Sequence, residues 1–412
     1  MKFCDITIAY NESSGGIRTY IDEKRRYLRE RTDHDHILIV PGAEDAMERG
    51  ERSTVVSLAG PLLPGQDTYR FFARPGRIRS VLLEHRPDVV ELGSYYLSPW
   101  AAFAYRQRLR AAEGDCVIGC YFHTDVAEAY VAAPLRGLAH GLLDDWSEPL
   151  ASLGERVAAL LARGAERYIG TVFANSDIAF APSPVQAERL RAYGVEGAQV
   201  VPLGVDLELF HPGRRSKAVR ARHGAGPGTT VLFYAGRLST EKRVLMLIEA
   251  LARLPSSFAA CLWITGHGPL AAEIAAAARH IPALRLLPYQ RNREDFARLL
   301  ASADVYVTAG PHETFALSVI EAQAAGLPVV GVDAGALHDR VPEGLGYLGP
   351  TDDPAAMADN IVLAAAERQA ISARARAHVE ARFGWDNTIR RLLACYEERL
   401  AGLRGRLPSA AP

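Results

Sequence analysis

Short apolar or β-branched runs alternate along the whole chain with segments in which apolar residues recur every three to four positions. That alternation predicts βαβ units, because parallel neighbours in a sheet need a crossover and a helix is the usual one. The predicted strands of the first half cover residues 3–9, 37–40, 88–92, 117–122, 178–181 and 199–201. Those of the second half cover 230–234, 259–264, 284–287, 305–308 and 329–332. Between the two sets, residues 212–228 hold four glycines, two prolines and a basic cluster, which reads as a connection running into a short helix. The pattern predicts an α/β protein with two doubly wound, Rossmann-like domains facing each other across a cleft, where ligands bind outside the carboxyl ends of the strands. The domains are expected over 1–210 and 211–384, followed by a closing segment over 385–412. In that segment Trp385, Ile389, Leu392 and Tyr396 recur at helical spacing with Asp386 as N-cap, predicting an amphipathic helix that packs back towards the N-terminal domain, with a frayed end over 408–412.

Composition narrows the classes further. Of 412 residues, 49% are apolar and 23% charged, which excludes a disordered or linker-dominated chain. Lys and Arg number 47 against 48 Asp and Glu, so no global positive field exists to attract nucleic acid, and no nucleic-acid partner is expected. The five cysteines are scattered: Cys4, Cys116, Cys120 and Cys261 lie in apolar runs and Cys395 in a helical pattern. They read as reduced thiols, without the paired clusters a structural zinc needs. Residues 3–9 open a strand where a leader peptide would carry a charged stretch and an apolar one. No run approaches the ~18 apolar residues of a spanning helix. The expectation is a cytoplasmic protein, with any membrane contact weak, peripheral and at the inner face.

Several short stretches could carry chemistry. Ser13, Ser14, Gly15 and Gly16 follow the first strand and open a helical run over 17–31, so backbone amides there can approach an anion. Gly266, His267 and Gly268 form half of a dinucleotide fingerprint after a strand. Taken alone, each equally describes a tight turn. Residues 234–242 read YAGRLSTEK and place Arg237 and Lys242 on either side of a polar turn at a strand's carboxyl end. A guanidinium fork and an ammonium point charge can together grip a diphosphate. Downstream, His312, Glu313, Thr314, Phe315, Ala316 and Leu317 lead into Val319, Ile320 and Glu321. Glu313 is expected in the loop before a helix and Glu321 about two turns inside it, so that one can meet a sugar and the other a ribose. The free amides of Phe315, Ala316 and Leu317 would add anion donors. Glu321 lies in an otherwise apolar stretch, where an idle carboxylate is costly.

Taken together, GGIRTY, the YFHTD of Tyr121 to Asp125, the VPLGVD of Val201 to Asp206, GRLSTEK and ETFALSVIEAQAAGLPVV resemble the retaining glycosyltransferases of family 4, which have the GT-B fold. The resemblance covers nearly the whole chain, and the HTD triplet and HETF wording are most similar to α-mannosyltransferases that build glycolipids. It implies an N-terminal acceptor-side domain and a C-terminal nucleotide-sugar domain. It also implies transfer of a hexose, first of all mannose from GDP-mannose, to a lipid-linked or saccharide acceptor; a UDP-sugar donor of glucosyl type and a non-catalytic nucleotide-sugar-binding subunit are the alternatives. By position, Gly15 and Gly16 would cap the donor diphosphate and Arg237 and Lys242 would bind it. Glu313 would touch sugar hydroxyls, Glu321 the ribose, and His123 would sit under the transferred sugar. Gly266 and Tyr289 are further donor contacts, with Tyr289 flanking the base. Arg18, Tyr69 and Arg70 are the expected acceptor contacts. Where many relatives have glycine after the motif's Phe, this chain has Ala316.

Two further patterns are weighed and set lower. Asp33, His34, Asp35 and His36 form a DxD with interleaved histidines, a pattern that can hold Mn or Mg, but the quartet is expected in a turn at the wrong end of the sheet. Neither a metal nor another cofactor is expected, since the fold implied is that of metal-independent enzymes. Arg70, Arg74 and Arg77 fall at helical spacing beside Tyr69, Phe71 and Phe72, which suggests an acceptor-facing or anionic surface on a helix starting near residue 69.

Overall fold

A computed structural model describes residues 1–11, 14–63, 68–125 and 148–405. Contacts divide the chain into two units, Met1–Pro202 with Thr388–Pro412, and Leu203–Asn387. The chain passes between them twice, at 202/203 and at 387/388.

Unit 1 runs β1 (Lys2–Ile6), α1 (Gly16–Arg31), β2 (Asp35–Gly42), β3 (Ala46–Gly50), β4 (Ser53–Ala59), α2 (Pro75–His85), β5 (Val89–Leu92), α3 (Ser98–Arg110), β6 (Val117–Tyr121), α4 (Glu148–Ala174), β7 (Ile178–Ala181), α5 (Pro184–Ala192) and β8 (Gln199–Val200). Its eight-stranded sheet has the order β3-β4-β2-β1-β5-β6-β7-β8, parallel throughout except for the β3–β4 hairpin. The central strands β5 and β6 are buried at every position, as strands covered on both faces must be. Neither β3 nor β4 is among the predicted strands; β3 is exposed at all five residues, so no apolar alternation marks it, and it forms only because β4 offers an edge.

Unit 2 runs β9 (Thr230–Ala235), α7 (Val244–Arg253), β10 (Ala260–Thr265), α8 (Ala271–His280), β11 (Leu284–Leu287), α9 (Arg293–Ala301), β12 (Val305–Val307), α10 (Leu317–Ala324), β13 (Val329–Val332), α11 (Leu337–Arg340), β14 (Gly346–Gly349), α12 (Pro354–Ala366) and α13 (Arg368–Arg382), preceded by α6 (Lys217–Arg222). Its six strands, in the order β11-β10-β9-β12-β13-β14, are all parallel. The connection expected over 212–228 is a 3₁₀ turn at Pro212–Arg214 followed by α6, and it belongs to unit 2. Arg215 and Arg220 bind it there: Arg215 lies 2.6 Å and Arg220 2.8 Å from the Asp304 carboxylate, while Arg220 also donates to the Ser302 carbonyl at 2.8 Å, just past the end of α9. Helix α14 (Trp385–Arg404) carries the expected buried stripe of Trp385, Ile389, Leu392 and Tyr396. Asp386 is its second helical residue rather than its N-cap, because the helix begins two residues earlier than expected, directly after Gly384. Residues 408–412 lie outside the described residues.

The helix expected to carry Arg70, Arg74 and Arg77 together is a correction. Pro75 opens α2, as its fixed φ and missing N–H favour. Arg70 instead pairs antiparallel with Leu62, and only Arg77 is helical. Arg74 and Arg77 both bind Asp45, at 2.9 and 3.2 Å, so they form a local surface pair rather than a free basic face. The acid-histidine quartet does not converge on a common point either. His36 is buried with Nε2 2.5 Å from Asp5 Oδ2, while His34 lies 3.1 Å from the N-terminal amine and Asp33 is fully exposed.

Candidate functional site

In unit 2 the strand order turns back between β9 and β12, and the loops leaving those two strands flank this switch point. The loop after β9 carries Arg237 and Lys242; the loop after β12 carries Glu313. Lys242 Nζ donates to Glu313 Oε1 at 2.6 Å, with both side chains about a quarter exposed or less. Arg237 lies 3.5 Å from Glu241 at a site open enough for solvent to screen the pair. The loops meet backbone to backbone. A Cβ on Gly266 would lie 1.9 Å from the Gly236 carbonyl oxygen, and one on Gly310 would lie 3.3 Å from Lys242 Cδ and 3.5 Å from Glu313 Oε1. Gly266 is thus explained by the close passage of the loop after β10 over the loop after β9. Tyr289, after β11, is 46% exposed, with its ring 5.0 Å from that of His267 and nearly perpendicular to it.

The chain from Glu313 to Glu321 brings the second carboxylate into the same unit. Ala316 adopts φ +59° and ψ +57° as the residue before α10, with no side chain capping the helix. A residue with a Cβ in this left-handed conformation costs about 1–2 kcal/mol, which the surrounding packing must offset. Phe315 and Ala316 are buried. Because α10 starts only at Leu317, Glu321 sits one turn inside the helix, not two. Its side chain is 11% exposed, and burial pushes its pKa up to about 7 against the opposing pull of Arg293, 3.6 Å away. The sequence reading passed over Arg293; its only local signal was a position at the first residue of a helix capped by Asn292.

In unit 1 the switch point falls between β1 and β5. Gly15 is the N-cap of α1 and Gly16 its first residue, and a Cβ on Gly15 would meet none of the described residues within 4 Å, so among them the helix end is open there. Ser13 lies outside the described residues. The hydroxyls of Ser14 and Tyr69 are 3.4 Å apart, which brings Tyr69 beside the glycine turn. Arg18 donates to the Asn11 carbonyl at 3.2 Å, while Arg70 is turned to the Gly60 carbonyl at 2.8 Å. His123 follows β6 and is 8% exposed. Its ring stacks on Tyr121 with centroids 4.3 Å apart and lies 5.0 Å from Tyr20, and its backbone N–H donates to the Tyr95 hydroxyl at 3.1 Å. Burial drives the imidazole pKa down to about 3, so the ring is neutral at ordinary pH.

Behind His123 stands a group of charges that the sequence reading did not single out. Lys24, wholly buried on α1, lies 2.9 Å from Asp5 and 3.0 Å from Glu91. Tyr20 and Tyr396 each donate to one oxygen of Glu91 at 2.7 Å, and Tyr396 reaches it through the space that Gly119 leaves open. The available signal was an acid in each of two otherwise apolar strands, β1 and β5, since a lone buried carboxylate is too costly to keep. Asp125, in the YFHTD stretch, binds Arg189 at 2.9 Å and the Tyr193 hydroxyl at 2.9 Å, fastening the turn after β6 to the α5 region. Among the described residues no group of three or more His, Cys, Asp or Glu side chains is arranged to hold a metal ion. No described helix is long and apolar enough to cross a membrane.

Residues 14–209 match the family described as Glycosyltransferase Family 4, and residues 229–367 match Glycosyl transferases group 1. A GDP-mannose-dependent α-(1-6)-phosphatidylinositol dimannoside mannosyltransferase of Mycobacterium tuberculosis is 31% identical over 84% of this chain and 86% of its own length. A GDP-mannose-dependent α-mannosyltransferase of Corynebacterium glutamicum is 31% identical over 76% of this chain and 68% of its own. Among solved structures, sucrose-phosphate synthase from Thermosynechococcus elongatus superimposes with a TM-score of 0.76 at 18% identity, covering 98% of this chain and all of that one. Anabaena HepE, solved in complex with UDP-glucose, superimposes with a TM-score of 0.67 at 18% identity over 97% of this chain and all of its own. With two parallel-sheet units built in this way and relatives similar over most of their length, the chain belongs to glycosyltransferase family 4 and has the GT-B fold.

Proposed function

We propose that the protein transfers mannose from GDP-mannose, with retention of configuration, to a lipid-linked or saccharide acceptor. The observation that carries the reading is the convergence of Lys242 and Glu313, from loops after β9 and β12, at the switch point of unit 2. The donor choice is supported by the names of the two bacterial relatives. In this reading Arg237 and Lys242 bind the diphosphate, with the amides of Phe315, Ala316 and Leu317 and the open end of α1 at Gly15 and Gly16 as further donors. Glu313 accepts from sugar hydroxyls, Glu321 from the ribose, and Tyr289 flanks the base. Neutral His123 offers a hydrogen bond under the sugar without adding charge. Arg18, Tyr69 and Arg70 serve the acceptor. The acceptor hydroxyl attacks from the face the leaving group departs, its proton passing to a donor phosphate oxygen, and the cations stabilise the leaving diphosphate, so no metal is required.

The test incubates the protein with GDP-mannose or UDP-glucose and follows nucleotide diphosphate release, with phosphatidylinositol dimannoside and free mannosides as acceptor probes. Acceptor-stimulated GDP release that survives EDTA is expected. Preference for UDP-glucose would overturn the donor choice, no turnover of either would favour a binding subunit, and activity lost in EDTA but restored by Mn or Mg would overturn the metal-free mechanism.

Glu321 adds a pH dependence. A carboxylate receives charge-assisted hydrogen bonds from ribose hydroxyls, whereas a neutral carboxyl makes ordinary ones weaker by ~1 kcal/mol, or about fivefold in affinity. With its folded pKa raised to about 7 by burial, Glu321 becomes protonated as pH falls through neutrality, so its own contribution to GDP affinity should weaken about fivefold between about pH 8 and pH 5.5. Titration calorimetry with wild type and Glu321→Gln measures this. Because the terminal phosphate of GDP itself titrates near pH ~6, the two proteins are compared: the wild type should lose about fivefold more affinity than the variant across that range, and equal losses would remove Glu321 from the ribose site.

A further inference from the structure

Arg340, the last residue of α11, is 4% exposed in the interior of unit 2. Burying a guanidinium to fill space is costly compared with an apolar side chain of similar size, so its contacts must need its charge and direction. Its Nε donates to the carbonyl of Phe315 at 3.2 Å. Its guanidinium carbon lies 4.3 Å from the centre of the Phe315 ring and 5.0 Å from that of Phe383, between two aromatic rings that attract a cation. The Arg340 backbone is itself held, because Gln323 of α10, wholly buried, donates to its carbonyl at 2.7 Å.

These contacts converge on the irregular loop that carries Glu313. One turn before Arg340, the Ala336 N–H donates to the Glu313 carbonyl at 2.8 Å. Gly335, at φ +57°, passes so near that a Cβ there would lie 2.8 Å from the same carbonyl oxygen and 2.6 Å from that of Pro311. Two alternate carbonyls of the loop, at Glu313 and Phe315, are therefore clamped by α11 and the turn before it. On its other side Arg340 touches Phe383, whose carbonyl accepts from Val205 N–H at 2.6 Å close to where the chain enters and leaves unit 2. The groups that bear electrostatically on this region also include His378, whose imidazole is held below its usual range by burial, Arg382 and Arg340.

We propose that Arg340 is a positioning residue for the transfer reaction, holding the Glu313 to Ala316 loop in the shape that presents the Glu313 carboxylate to the donor. This rests on the reading that Glu313 acts on the donor sugar. If Arg340 works through Glu313, its removal matters only while Glu313 is present, and a double-mutant cycle detects that dependence.

The experiment measures kcat for Arg340→Met, Arg340→Lys, Glu313→Ala and the Arg340→Met/Glu313→Ala double variant, using the nucleotide sugar that the wild type turns over and thermal melting as the check on folding. Arg340→Met is expected to lower kcat about tenfold, and Arg340→Lys should not restore it, since an ammonium lacks the planar face and fixed N–H direction. The double variant should be no slower than Glu313→Ala alone. Multiplying losses would show that Arg340 acts independently of Glu313 and overturn the proposal, as would a wild-type kcat in a folded Arg340→Met. A wild-type kcat in Glu313→Ala would instead refute the donor-site reading itself. Should Arg340→Met not fold, hydrogen exchange of the wild-type protein decides: GDP should slow the amides of residues 335–341 along with those of 313–317, and slowing confined to 313–317 overturns the proposal.

Discussion

Replacing Lys242 with alanine is expected to lower kcat by about 10²–10³, the loss typical of deleting one donor from a preorganised charge-stabilising site. As the glycosidic bond breaks, negative charge grows on the departing diphosphate, so a cation held there gains more in the transition state than in the ground state. Donor affinity should fall less than kcat. The ion pair with Glu313 at 2.6 Å sharpens the expectation, because the substitution also releases a half-buried carboxylate that Lys242 otherwise orients. Arg237→Ala should cost a similar factor. Arg237→Lys should recover only part of it, since a point charge cannot reproduce two parallel hydrogen bonds to a phosphate. Steady-state kinetics with the donor varied, on variants whose circular dichroism matches wild type, measures all three. Near wild-type kcat in both alanine variants would show that the two residues are a solvated basic turn.

Lys24→Met should cause a large loss of stability. Lys24 is wholly buried between Asp5 and Glu91, and breaking a buried pair by removing one partner costs about 3–5 kcal/mol because the remaining charge is left uncompensated. For a chain of 412 residues that lowers Tm by about 4–6 °C. The pH dependence identifies the cause. In the wild type, burial pushes the Asp5 carboxyl up, but Lys24 and the His36 hydrogen bond outweigh it and hold it well below its usual range. That contribution is present above the unfolded pKa and is lost as pH falls through the folded value. Without Lys24 burial dominates: the folded pKa of Asp5 rises and its contribution reverses, while that of Glu91, already raised by burial in the wild type, rises further, so stability falls as pH rises. The gap between wild type and variant should therefore narrow from about pH 8 to about pH 5. Denaturant melts at both pH values measure it; a loss below ~1 kcal/mol, or a gap that does not narrow, would remove the cluster from the list of main stabilising features.

Alternation of strand and helix patterns was enough to read two parallel sheets, and nearly every predicted strand lies within two or three residues of an observed one. Neither β3 nor β4 is predicted: the five exposed residues of β3 carry no periodic burial and its pairing depends on β4, only two of whose seven residues are buried. β14 is a four-residue strand bounded by glycines, and a Cβ on Gly346 would lie 2.0 Å from the Val329 carbonyl oxygen; its place in the sheet is decided by that close approach. The helix expected near residue 69 failed because local arginine spacing carries no information about where Pro75 starts the turn.

By itself the sequence determined the class of fold, the glycines and cations at strand ends, and the two carboxylates around a helix start, because each depends on residue type and short spacing. What only the tertiary structure decided is which of these meet. Lys242 and Glu313 are 71 residues apart and form an ion pair only because β9 and β12 are neighbours at the point where the strand order turns back. Arg293 of α9 comes within 3.6 Å of Glu321 of α10, Tyr396 reaches Glu91 across 305 residues, and Arg340 clamps a loop 25 residues before it. Local periodicity fixes an element's type and its buried face, while the partner of a polar side chain is set by topology. Burial then decides which polar groups must have partners, and so which of them are held in place.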